Sequence, residues 1–529
     1  SRRGDGRAVL RSLSREYLAG SHLRALGVPS VVALALIGAD ARNGADAGDY
    51  IVRDEYYVGR PELTRSGVLV RVAPSFVRFG SLQLARTRQG RAGLVHLARH
   101  VLRVLRVEEE EGDASWRAHF DPAPMAAVFR PASALQDCFF APAKATPSCS
   151  HHNVAADGAG TDVLACLLLR ISERLAALVA AWQSVGLAHG VMNTDNLSAL
   201  GLTIDLNVFG WIGAFRDADR FVPNFIDENA RYAFGKQKRI ALWNLNRLAD
   251  AFAGVKHYVA DDDGRDMRSE EARRLRAVHA EEEKEEKEGL SFLPLDTARQ
   301  IVQDAFQPRF DVCFDARLRW RMGLPSDSAL NRDIVQSWMA WMRESNADYH
   351  LASRALAEFD GDESSIASMA AFLVQASVAD VPADGGDTMA EVDANGNAKL
   401  NTAAAAAAAA AAETFLEDFR QALRVEMSAK SVATWEAWQH HVRSVVPRFV
   451  MRTSALRKIG EATEDGHSEV LREAWLFLAA KPFLSEAGRS AFLNAGTSTA
   501  MSSGKSALLD LAALPGPREL FLQTSCGGQ

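Results

Sequence analysis

His189-Gly190-Val191-Met192-Asn193-Thr194-Asp195-Asn196, followed by Gly201-Leu202-Thr203-Ile204-Asp205 and Phe209-Gly210, is the stretch on which the reading of this chain turns. An apolar stripe leads into it. Val163, Leu164, Leu167, Leu168, Ile171, Leu175, Leu178, Val179 and Trp182 recur at helical spacing and predict a buried helix that stops near Gly186. Leu202–Ile204 behind it reads as a short apolar strand. The motif is therefore a loop held between rigid elements, where catalytic groups usually sit. Asp195, Asn196 and Asp205 are oxygen ligands or bases. An Asn followed some residues later by an Asp suits a Mg²⁺–triphosphate site, which needs hard oxygen donors and leaves room for phosphate oxygens and water. From spacing alone Asp and Asn in a loop are more often turn formers.

Outward from the motif, Val9, Leu10, Leu13, Tyr17 and Leu18 predict a first helix that Gly27-Val28-Pro29 stops, with Glu16 on or beside its buried face and in need of a partner. Val31–Gly38 and Gly67–Ala73 read as strands, and in the second Arg71 projects from the face opposite Val70 and Val72. Leu94–Val107 reads as a short helix. Residues 108–160 lack any period and read as an insertion. Ile240, Leu242, Trp243, Leu245, Leu248 and Phe252 predict another buried helix. Asp261–Glu288 is almost all charge, and from Leu295 onward the chain is helical, broken by Ala379–Lys399 and the polyalanine run Ala403–Ala412, which offers nothing specific to bury. The expected organisation is a small α/β lobe over 1–107, an insertion at 108–160 and the catalytic part of a large lobe at 161–260. A charged insertion follows at 261–288, a helical continuation at 289–378, a low-complexity and polyalanine insertion at 379–412 and a helical C-terminal region at 413–529.

At 529 residues and 48% hydrophobic content the chain can bury a large core in two to four units. Sixty basic against 67 acidic residues leave a net charge of −7, so no global basic field drives nucleic-acid binding. No stretch reaches the roughly 18–20 apolar residues of a membrane span. Five scattered cysteines form neither a disulfide scaffold nor paired CxxC knuckles. Cys149-Ser150-His151-His152 has no second Cys/His cluster of zinc spacing nearby, and Trp320, Trp338 and Trp341 read as core.

His189–Asp205 resembles the signature of the selenoprotein O family, known in bacteria as YdiU, whose string is H-G-V-M-N-T-D-N followed by G-L-T-I-D. Ser1–Ser12 is similar to its S-R-R-G-D-G-R-A-V-L-R-S, and Arg71–Gly80 to its R-V-A-P-S-x-x-R-F-G. Arg231–Phe234 with Ala241–Leu248, and more weakly Pro447–Arg452 and the Ser525-Cys526 tail, follow in the family's order. The resemblance implies an α+β, protein-kinase-like two-lobed fold with a helical C-terminal extension. It implies a protein adenylyltransferase that binds ATP in flipped orientation and moves AMP to Ser, Thr or Tyr hydroxyls of protein substrates. Asp195 would accept the hydroxyl proton; Asn196 and Asp205 would hold Mg²⁺, or Mn²⁺, with Asp205 also near the nucleotide. Arg71 and Arg78 would grip the phosphates, and Asp5 and Gly6 would lie against the nucleotide.

The resemblance also marks departures. The family carries a Lys just before S-R-R that pairs with the residue matching Glu16; it would fall upstream of Ser1, and without it Glu16 has lost its partner. Phe225–Arg231 lacks the family's C-N-H-S piece, so Cys526 has no evident partner for a redox switch. A catalytically impaired pseudokinase scaffold and a phosphoryl-transferring kinase stand as alternative readings. The further expectations are a monomer, no nucleic-acid partner, and a mitochondrial protein if eukaryotic or a cytoplasmic one if bacterial, with any targeting segment outside this chain.

Overall fold

The computed structural model describes residues 8–38, 50–52, 63–110, 160–224, 226–255, 292–377, 402–465, 470–471 and 474. Asp5, Gly6, Cys149, the insertion at 261–288 and Cys526 lie outside them. The chain is α+β and mostly helical, with three small antiparallel two-stranded sheets among the described residues.

Helix α1 (Leu10–Ala25) turns its Leu10, Leu13, Leu18 and Leu23 inward and ends at Gly27, whose φ of 74° lies in the left-handed region that favours glycine. Strand β1 (Val32–Gly38) pairs antiparallel with β4 (Gly67–Val72), and a register irregularity between Ala33 and Ala35 leaves Leu34 exposed. Between them, β2 (Tyr50–Val52) and β3 (Leu63–Arg65) form a second pair. Along β4 the pleat alternates, with Val68, Val70 and Val72 exposed, while Arg71 faces α1. The expected helix over Leu94–Val107 is the second half of a longer one, α2 (Phe79–Glu110), bent at Gly90, where φ is 66° and ψ −159°.

Helix α3 (Gly160–Ser184) runs through the middle of the larger core, buried from Val163 to Trp182. It feeds β5 (Leu187–Ala188), which pairs with β6 (Gly210–Trp211); the motif is the loop between these two strands. Leu202–Ile204, expected as a strand, forms only an isolated bridge, Thr203 to Ser30, because Pro29 and Val31 supply single backbone partners and no neighbouring strand continues the ladder. Helices α4 (Gln237–Phe252) and α5 (Leu295–Arg321) cover α3 and complete this core.

A second core gathers α6 (Ala329–Glu344), α7 (Tyr349–Leu356), α8 (Ile366–Val374), α9 (Thr402–Ser428) and α10 (Trp435–Val445). Helix α11 (Thr453–Glu464) returns to lie on α1. Trp338 and Trp341 are core, stacked with centroids 5.2 Å apart, and Trp320 bridges the two clusters, as their apolar setting led one to expect. The polyalanine run is a correction. It is the first part of α9, continuous across the boundary expected at 412. Ala408 and Ala412 are buried, in step with Phe415, Leu416, Phe419 and Leu423, and Trp341 donates its indole N–H to Ala408 O at 3.0 Å. Small side chains let α9 come close enough for that bond, so alanine here carries packing information that composition does not reveal. No helix among the described residues is long and apolar enough to cross a membrane.

Candidate active site

The loop between β5 and β6 is built from inside outward. His189 is fully buried; its Nε2 lies 2.9 Å from Ile204 O and its ring tilts against Trp182 at 5.0 Å. Burial holds the imidazole below its usual range, and hydrogen bonding to Ile204 and the Asp205 charge only partly oppose that. A neutral ring with Nε2 donating to Ile204 O is a brace for the segment leading to Asp205, not a proton shuttle open to solvent. Gln237 of α4 closes the other side, accepting from His189 N at 2.9 Å and donating to Leu187 O at 2.9 Å. Asn244, two turns further along α4, donates to Met192 O at 2.8 Å. Trp182 Nε1 donates to Thr203 Oγ1 at 2.9 Å, and Thr203 Oγ1 donates in turn to Pro29 O at 2.6 Å. The loop is thus tied to α3, α4 and the segment before β1.

Asn193 caps the 3₁₀ turn Thr194–Asn196, its side chain accepting from Asp195 N at 3.0 Å. That turn fixes the direction in which Asp195 and Asn196 leave the backbone. Asn196 Nδ2 donates to Val191 O at 3.1 Å, so its Oδ1 is the amide atom left for a ligand. Asp205 has φ of 57°, unusual for a residue with a Cβ and a form of local strain that clusters at functional sites.

Two arginines from the N-terminal part close on these residues. Arg71 Nη1 donates to Asp205 Oδ1 at 3.0 Å and to Glu16 Oε1 at 2.5 Å. Arg78 Nη1 donates to Asp205 Oδ2 at 2.5 Å and to the Asp195 backbone carbonyl at 2.6 Å. Their approach is set by backbone: Phe79 N donates to Leu197 O at 3.0 Å and Ala199 N to Val77 O at 2.9 Å, stitching the start of α2 to the end of the motif. Burial works against the charge on Arg71, but Glu16 and Asp205 outweigh it and hold the guanidinium above its ordinary value. Burial pushes the Glu16 carboxyl up, and Arg71 opposes that push. Arginine stays protonated at any pH of interest, so the guanidinium favours the ionised form of Glu16 against the push of burial.

Arg71, Arg78, Asp195, Asn196, Asp205 and Glu16, read from separate stretches of sequence, therefore meet in one place. Glu16, which the resemblance pairs with a Lys that would fall upstream of Ser1, is paired here with Arg71. Gly80 was quoted in the sequence string without a role. A Cβ built there would lie 2.0 Å from Asp195 Oδ1 and no nearer than 3.2 Å to any other atom, so a larger residue would oblige the exposed Asp195 carboxylate to turn away. Asn193, Gln237 and Asn244 were also missed; their function is local hydrogen bonding, which no periodicity announces.

Among the described residues no group of three or more His, Cys, Asp or Glu side chains could hold a metal by itself. Asn196 and Asp205 supply an amide and a carboxylate oxygen, hard donors of the kind Mg²⁺ or Mn²⁺ takes, in a number that leaves most of the shell to phosphate oxygens and water. The donor set thus fits a cation that arrives with a nucleotide, provided Asp205 yields some of its contact with the arginines.

The fold and site define a mostly helical α+β protein in which two arginines of the N-terminal part sit over a loop of Asp and Asn. The family model described as Protein adenylyltransferase SelO matches residues 1–476, and the chain belongs to that family. Among relatives, the Protein nucleotidyltransferase YdiU of Xanthomonas campestris pv. campestris strain 8004 is 37% identical over 254 residues, 48% of this chain and 38% of that protein. Those of Bordetella avium and Burkholderia ambifaria are each 33% identical, over 358 and 368 residues, covering 68% and 69% of this chain and 53% of theirs. The chain thus spans about half or less of the length of the curated relatives it matches.

Proposed function

We propose that this chain carries the catalytic centre of a protein adenylyltransferase with a protein-kinase-like two-lobed fold. ATP and a Ser, Thr or Tyr hydroxyl of an acceptor protein would give the AMP ester and pyrophosphate. The observation that carries the reading is the convergence of Arg71 and Arg78 on Asp205, with Arg78 also on the Asp195 carbonyl. Two planar guanidinium forks beside a nucleophile-activating carboxylate match the needs of a reaction that expels pyrophosphate. Asp195 accepts the hydroxyl proton as the oxygen bonds to the α-phosphorus and the bond to the β-phosphate oxygen breaks. Arg71 and Arg78 take the charge that grows on the departing pyrophosphate. Asn196 and Asp205 hold a divalent cation, which supplies further charge neutralisation when bound. Asp5 and Gly6 line the nucleotide, Gly6 because a backbone must come close there. Family membership and the relatives' printed names support this reading.

ATP labelled at the α- or the γ-phosphate tests it, on this chain and on a version extended upstream of Ser1. Label from the α-phosphate alone is expected on protein in the presence of Mg²⁺ or Mn²⁺. Transfer of γ-label would mean a phosphoryl-transferring kinase. ATP binding with transfer of neither label by either version would mean a pseudokinase scaffold. Asp195→Asn should lower α-label transfer by about 10²–10⁴-fold while leaving ATP affinity within a few-fold.

A further inference from the structure

A second cavity lies in the other core, where α7, α8 and α10 meet, and shares no residue with the site above. It has a volume of about 310 Å³. Its lining includes the apolar Leu351, Ala355, Phe372 and Val446 and the cationic Arg354, Arg443 and Arg448. The one carboxylate in the lining, Glu358, is taken by Arg443 Nη2 at 2.6 Å. The neighbouring Arg452 is likewise neutralised, by both oxygens of Asp348 at 2.8 and 2.9 Å. Arg354 and Arg448 are left with no carboxylate within ion-pair distance among the described residues, though both are half-buried. The Arg354 guanidinium is held below its ordinary value first by burial, then by the charges of Arg448 and Arg452, with the more distant Asp348 and Glu358 opposing only in part. Phe372 beside them is 43% exposed.

A concavity that gathers two arginines without a direct carboxylate contact, together with aromatic and aliphatic side chains, suits a complementary anionic molecule. We infer that this cavity binds a small organic phosphate monoester, its dianionic head between Arg354 and Arg448 and its aromatic or apolar body against Phe372, Leu351 and Val446. A dianion would give both guanidinium groups the direct anionic contact they lack, and paired guanidinium forks suit phosphate oxygens. The inference is independent of the reading of the catalytic centre.

Calorimetric titration of the 529-residue chain with phenyl phosphate, inorganic phosphate and phenol, at low ionic strength, tests it. Phenyl phosphate should bind at one site that survives Arg71→Gln/Arg78→Gln, which disables the other place where phosphate is expected. Arg354→Gln/Arg448→Gln should weaken it at least tenfold. Phe372→Ala, a change at a half-exposed side chain with little bearing on folding, should weaken phenyl phosphate several-fold and leave inorganic phosphate unchanged. No binding of phenyl phosphate to the unaltered chain would overturn the inference, as would binding indifferent to Arg354 and Arg448. Equal affinity for phenyl and inorganic phosphate, unmoved by Phe372→Ala, would overturn the assignment of an organic body.

Discussion

Arg71 serves two carboxylates at once, and the consequences differ from those at Arg78. Glu16 is only 7% exposed at its side chain, so Arg71→Gln strands a buried charge. Removing one partner of a buried pair is costly, and with Arg71 itself 24% exposed we expect a loss of about 2–3 kcal/mol. Arg78→Gln leaves Asp205 with Arg71 still at hand and should cost under about 1 kcal/mol. Urea denaturation of the two variants checks the asymmetry, and equal losses would argue that Glu16 does not depend on Arg71. Gly80→Ala is the complementary probe. Its methyl would collide with Asp195 Oδ1, so either α2 or the carboxylate must shift. Because the exposed carboxylate can rotate and alanine favours the helix, stability should change by no more than about 1 kcal/mol, while transfer activity should fall as Asp195 is displaced, even where ATP still binds. The residues meeting at this site were legible from the sequence because they form strings with chemical meaning. The partnership of Glu16 with Arg71 was not, since it joins residues 55 apart across a helix–strand contact that no spacing encodes.

At the scale of elements, helices with a strong apolar period were legible and those defined by small residues were not. The stripe from Val163 to Trp182 forecast α3 closely because its period alone separates helix from strand. α2 was read short. Its first half runs from Phe79 to Gly90, where charges and Gln dilute the stripe, and the bend at Gly90 interrupts the phase. Polyalanine has no contrast between faces, so the buried edge along Ala408 and Ala412 was invisible. That edge leads to a definite expectation. Ala412→Leu places a large side chain in a fully buried contact and should destabilise by about 1–3 kcal/mol, whereas Ala411→Leu, on the exposed side, should stay within about 0.5 kcal/mol. Deleting Ala403–Ala412 removes the acceptor of the Trp341 indole and should lower the thermal midpoint by several degrees. A deletion with an unchanged midpoint would return the run to the status of a spacer.

For the whole molecule, three buried histidines couple stability to acidity. His189 and His350 are held low by burial, His350 the more so because Arg452, Arg321, His22 and Arg354 add repulsion. His441 falls to about 4, again mainly through burial, with its hydrogen bond to Trp320 O opposing. The folded chain refuses protons that the unfolded chain accepts. The stability these rings contribute is therefore fully present above their unfolded value of about 6.5 and is lost as pH falls toward their folded values. Each histidine adds a slope of at most about 1.4 kcal/mol per pH unit in that window. Glu16 works the other way. Its raised folded value means a contribution present below about 4.5 and lost as pH rises through the folded value, but it is one group against three. Net stability should therefore decline from pH 6.5 downward, with a slope near pH 5.5 above what one histidine can supply. His350 lies between Trp211 of β6 and Tyr349 of α7, with neither ring nitrogen hydrogen-bonded, so His350→Gln tests its share. The variant should lose stability at pH 7 by mismatch but show a shallower acid limb by about 1 kcal/mol per unit. Denaturant midpoints between pH 4.5 and 7.5 read both effects, and an unchanged limb would mean that His350 does not protonate on unfolding in that range.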